Sequence, residues 1–153
     1  MTMTQRPPNT AQPTPAILQT PTWVPTVVIL GIGYALVGIV FAVPTTHVRA
    51  WRLAAWAVSG MGYAAHIAYE RFRLRNPPAS AALHVALAVA LGAFGLAVGA
   101  NIHSLSAGSV NQHRQLLLLS LGIWPVMTAL PAFLVAFGAS VVLERALGNV
   151  QDR

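Results

Sequence analysis

Few side chains in this sequence are able to do acid–base or ligand chemistry. It has five histidines, three acidic residues and no cysteine in 153 residues. Without cysteine there are no disulfides, thiolate metal sites, iron–sulfur clusters or cysteine nucleophiles. The acidic residues are Glu70, Glu144 and Asp152, and each glutamate is followed by an arginine, Arg71 or Arg145. The sequence has no pair of carboxylates placed for hydrolysis, no phosphate loop, no G-x-S-x-G elbow and no H-E-x-x-H helix. That leaves histidine. His47 and His66 lie 19 residues apart, as do His84 and His103. Two antiparallel helices turning at Asn76-Pro77 would set His66 beside His84 at one depth and His47 beside His103 at another. Histidines facing each other between helices are how bundles ligate haem. A b-type haem between His66 and His84 is therefore the sharpest chemical expectation, with His47 and His103 as a second pair. Gly62 and Ala88, one turn from each ligand, would leave room for the macrocycle edge. The plainer expectation is that these rings sit at an interface and meet headgroups or backbone carbonyls. On that view Glu70-Arg71 and Glu144-Arg145 are alike, interfacial charge pairs worth little energy.

Four apolar runs carry these residues. The first, 23–43, has 21 residues and no charge, which at about 1.5 Å per residue crosses a hydrocarbon core of roughly 30 Å. The second, 53–69, is 17 residues long and near the lower limit; Trp51, Arg52 and Tyr69 flank it as anchors, so the helix reads as about 51–72. The third run, 79–102, gives a helix over about 79–103. The fourth, 116–143, gives a helix over about 116–145 with Pro125 and Pro131 inside it. Such prolines bend a membrane helix and free carbonyls that neighbours must satisfy. Only 8% of residues are charged and 56% are hydrophobic, against about a quarter charged in soluble domains. The expected architecture is an all-α integral membrane protein, a four-transmembrane-helix bundle over 23–146. A Pro- and Thr-rich disordered tail precedes it over 1–22, and a short tail follows over 147–153.

The net charge of +6 comes from nine arginines and no lysine. They fall in connections and tails, without aromatic interleaving or a nucleic-acid motif, so no nucleic-acid partner is expected. With four spans, Arg6, Arg71, Arg73, Arg75, Arg145 and Arg153 share one side and Arg49, Arg52 and Arg114 the other. The positive-inside bias then places both termini in the cytoplasm and the protein in a bacterial inner membrane.

Glycines suggest where the helices touch. Gly92, Gly95 and Gly99 form a small-residue face on the third helix, and Gly60 marks a weaker one on the second. Such faces let helices approach closely, within one bundle or between copies. Gly31 and Gly38 are spaced like Gly92 and Gly99, which would suit two related helical hairpins. No carboxylate falls at mid-membrane, which disfavours a proton-coupled transporter. The leading functional expectation is an accessory or scaffold subunit without catalysis, partnered by the lipid bilayer and by copies of itself or a larger membrane complex. A haem electron carrier and an oligomeric small-solute transporter or channel are the alternatives.

Overall fold

The computed structural model describes residues 23–42, 46–106 and 114–151, with side chains as far as 146. The expected tail over 1–22 and the last two residues lie outside the described residues. Within them the chain is all helix, with no strand. The helices are α1 (Trp23–Ala42), α2 (Val48–Ala68), α3 (Pro78–Ser106) and α4 (Arg114–Gln151). A π-helical turn, Tyr69–Arg73, continues α2. By length and composition, α1, α3 and the Arg114–Ala146 portion of α4 suffice to cross a membrane. α2 is less apolar because it carries Arg49, Arg52, Ser59, His66 and two glycines.

Local chemistry sets the helix ends. Pro78 opens α3 in the first turn, where its missing N–H costs no hydrogen bond. Before it, Arg75 adopts the left-handed conformation, φ 54°, and ends the preceding helix. Pro77 then keeps Asn76 out of the helical region. α4 runs unbroken through Pro125 and Pro131. The Thr128 hydroxyl donates to the carbonyls of Trp124 and Pro125 one turn back, both at 3.0 Å.

α3 is the central helix, packed against α1 on one side and α4 on the other. The α1–α3 contact runs along a seam of missing side chains. A Cβ on Gly92 would lie 2.6 Å from the Tyr34 Cβ, and one on Gly95 would lie 2.9 Å from the Ala35 Cβ. From the other side, a Cβ on Gly31 would meet Leu91 at 2.7 Å, and one on Gly38 would meet Leu96 at 2.6 Å. The close seam therefore includes Gly92 and Gly95 but ends before Gly99, and Gly60 of α2 also faces open space within 4 Å. The α3–α4 contact is a small apolar core of Ala82, Val85 and Ala136, joined by Ile67 of α2 and flanked by Phe133 and Ala139. At the far end the Asn101 amide donates to the Leu117 carbonyl at 2.9 Å and bridges α3 to α4.

α2 touches the bundle at both of its ends. Near its start Trp51 meets Phe41 of α1 edge-on, centroids 5.7 Å apart, and near its finish His66 and Ile67 are buried. Between these points its outer face is bare, with Trp56 78% exposed. The gap left among the four helices is a cavity of about 520 Å³.

Candidate functional site

Glu70 is the hub of the buried polar chemistry. It lies on the π turn, four residues after His66, so both side chains emerge on one face. The wide turn and the Arg75 reversal bring the Asn76 N–H back to the Glu70 carbonyl at 3.1 Å. π-helical turns inside α-helices often mark sites where a side chain must be re-aimed. Here the re-aimed side chain is a carboxylate with no solvent exposure at all.

Three neighbours answer it. The Asn76 amide donates to Glu70 Oε2 at 2.5 Å. His84 Nδ1 from α3 stands 3.1 Å from the same oxygen. An ionised carboxylate only accepts, so this contact requires the His84 tautomer protonated at Nδ1. His66 Nε2 lies 3.6 Å from Oε1, an electrostatic contact too long for a hydrogen bond. Trp23, the first residue of α1, stacks flat on the His84 ring at 4.7 Å and 9°. Arg71 then fastens the rim: Nη1 donates to the Asn76 carbonyl at 2.5 Å, and Nη2 lies 3.8 Å from Glu144 of α4. One end of all four helices converges on this cluster.

The structure thus brings His66 and His84 together, but with the Glu70 carboxylate between them and both rings turned toward it. A Cβ on Gly62 would stand in ordinary contact with the Tyr34 ring at 3.7 Å, and Ala88 is fully buried. His47 and His103 are not brought together into a buried pair. His47 is an exposed residue ahead of α2 with φ 52°, and His103 is exposed in the last turn of α3. Among the described residues no group of three His, Asp or Glu side chains is arranged to hold a metal ion.

The expectation that both glutamates are interfacial charges needs correction. Glu144 fits it, with a side chain 58% exposed, but Glu70 is enclosed. Sequence reasoning therefore missed the hub, although the i, i+4 spacing of His66 and Glu70 carried the signal. Chemically the cluster is a buried carboxylate with one oxygen held by Asn76 and His84 and the other, beside His66, without a hydrogen-bond partner, and it lines neither the large cavity nor the smaller one beside Asn101. Comparison with known proteins finds no matching family model, no matching curated protein and no matching solved structure.

Proposed function

We propose that this chain is a four-span protein of a cytoplasmic membrane that serves as an accessory or scaffold subunit and performs no catalysis. The observation that carries this reading is the use made of the buried ionisable groups. Glu70 and His84 join the end of α2 to α3, with His66 enclosed beside them, away from both cavities. Removing one member of such a buried set is costly, of order 3–5 kcal/mol, which suits a part kept for rigidity. An enzyme or carrier would instead present such groups to a cleft.

The path of α2 supports the fourth span. Its start is pinned to the end of α1 through Phe41–Trp51. Its finish is pinned to the start of α1 through Glu70, His84 and the stacked Trp23. A helix fixed to both ends of a membrane-crossing neighbour crosses with it. The 21 residues of α2 reach about 30 Å at 1.5 Å each. Arg49 and Arg52 sit in its first turns, where long side chains extend to the interface.

The exposed apolar faces of α4, including Leu130, Leu134 and Val142, are available to lipid or to another membrane protein. The test is the state of the protein in its native membrane. After mild solubilisation and in-membrane cross-linking, the same partner, or further copies of this chain, should accompany it in fixed ratio by both methods. A chain that stays monomeric under both would end the scaffold reading.

A further inference from the structure

The cavity among the four helices is an apolar slot that opens sideways. Its volume of about 520 Å³ lies within the range of roughly 300–1,000 Å³ usual for small-molecule pockets. Its exposed lining residues, Trp56 and Gly60 of α2 and Trp124, Pro131 and Val135 of α4, all belong to two helices. The residues that line it from α1 and α3 are buried or half-buried. The opening therefore lies between α2 and α4, on the side where lipid would meet the bundle. Toward the finish of α2 the slot is crossed by a tie, the Tyr63 hydroxyl donating to the Ala132 carbonyl of α4.

Length argues for a hydrocarbon chain as the occupant. The lining runs from Ala55 to Tyr63 on α2 and from Trp124 to Val135 on α4, roughly 12 Å and 16 Å at about 1.5 Å per residue. One leaflet contributes about 15 Å of hydrocarbon, half of a core about 30 Å thick. A slot of that length, apolar and open to the hydrocarbon, suits an acyl chain lying along the helices. Left empty, it would forfeit the contacts of its walls.

Charge beyond one end of the slot identifies the lipid. Arg52 is the fifth residue of α2, and Trp56, Gly60 and Tyr63 continue its face at helical spacing. It is exposed and has no hydrogen-bond or ion-pair partner among the described residues. Helical side chains lean toward the N-terminus of their helix, which here carries a guanidinium away from the slot and toward the level of headgroups. Arg49 and Arg114 mark the same end of the bundle. Its described residues include no carboxylate, since Glu70 and Glu144 both lie near Arg71 at the opposite end. A headgroup of net negative charge fits there better than a zwitterion that brings its own cation. We infer that the slot binds one anionic phospholipid, with an acyl chain between α2 and α4 and the phosphate on Arg52. This inference rests on the membrane placement proposed above and is independent of the scaffold role.

The experiment uses the full chain in phosphatidylcholine nanodiscs, after an alkaline carbonate wash has shown that membranes retain it. Phosphatidylglycerol with brominated acyl chains, which quench nearby tryptophans, is included at rising mole fraction. Trp56 and Trp124, at the mouth, report occupancy. Quenching should saturate at one lipid per chain, whereas phosphatidylcholine with the same brominated chains should quench in proportion to its mole fraction. Arg52→Gln should weaken saturable binding about fivefold, the worth of one basic residue at a membrane surface. Arg52→Lys should restore most of it. Gly60→Leu, at a position where a Cβ meets nothing, should fill the slot and abolish saturation. Inorganic phosphate should not compete. Quenching by phosphatidylglycerol that never saturates, as a slot covered by a second copy would give, would overturn the inference. So would equal saturation by the two headgroups, unchanged affinity in Arg52→Gln, saturation that persists in Gly60→Leu, or displacement by inorganic phosphate. Release by carbonate would overturn the membrane placement as well, which separates the two failures.

Discussion

Glu70 and Glu144 each precede an arginine at a helix end, yet their surroundings assign them opposite weights. Glu70 has no solvent exposure and contacts Asn76, His84 and His66, whereas Glu144 meets Arg71 at 3.8 Å with 58% of its side chain in the open. Glu70→Ala leaves the His84 imidazole and the Asn76 amide without their shared acceptor, and should cost about 3 kcal/mol or more. Glu144→Ala removes an exposed pair and should cost less than about 1 kcal/mol. Denaturation in a mild detergent measures both, and equal losses would show that the buried carboxylate is not a clamp. The histidines extend the test. Protein made with haem available should be colourless, and His84→Ala should lower its melting temperature by removing both the Glu70 contact and the Trp23 stack. A Soret band that vanishes in His66→Ala and in His84→Ala alike would establish axial ligation and end the clamp reading. The meeting of His66 and His84 was legible in the sequence, because both lie eight to ten residues from one turn. The intervening carboxylate was hidden by its resemblance to an ordinary interfacial charge, since burial depends on the π turn and the Arg75 reversal.

At the scale of elements, apolar runs locate helices well and say less about which faces meet. The expected spans agree with α1, α3 and α4 within a few residues at most ends, although α4 extends to Gln151. The small-residue face of α3 was legible from its spacing, but where it ends was not. A stripe of glycines records where close approach is allowed, and only the partner helix decides where it happens. Gly92 and Gly95 face Tyr34 and Ala35 of α1, while Gly99 faces open space. Gly92→Leu and Gly95→Leu should each force the α1–α3 seam apart and cost about 1–3 kcal/mol, as overpacking does elsewhere. Gly99→Leu should melt within error of the parent. Equal losses at all three positions would mean that the seam continues past Gly95 or that a second copy covers Gly99.

For the whole molecule, the decisive feature is α2, the least apolar of the four helices, which borders the cavity together with the other three. A hydropathy reading alone finds three strong spans, and three spans would put the two ends of the chain on opposite sides. The ring contact at the start of α2 and the Glu70 cluster at its finish instead make it run the length of α1. Its lower apolarity goes with its position, because Ser59, Gly60 and Tyr63 line the cavity and Arg49 and Arg52 fall in its first turns. In the proposed membrane placement the arginines would orient the bundle: Arg71, Arg73 and Arg75 cluster at the turn before α3, which the positive-inside bias would assign to the cytoplasm. Single cysteines report on this without background, since the chain has none. Thr46, Ala79 and Ser106 are exposed positions at three helix ends. With a reagent that cannot cross the membrane, Thr46→Cys and Ser106→Cys should be labelled from outside intact cells. Ala79→Cys should be labelled only after the cells are opened. An inverted pattern would reverse the orientation while keeping four spans. Thr46→Cys and Ala79→Cys labelled from one side, with Ser106→Cys from the other, would show that α2 does not cross, and the four-span bundle would be wrong.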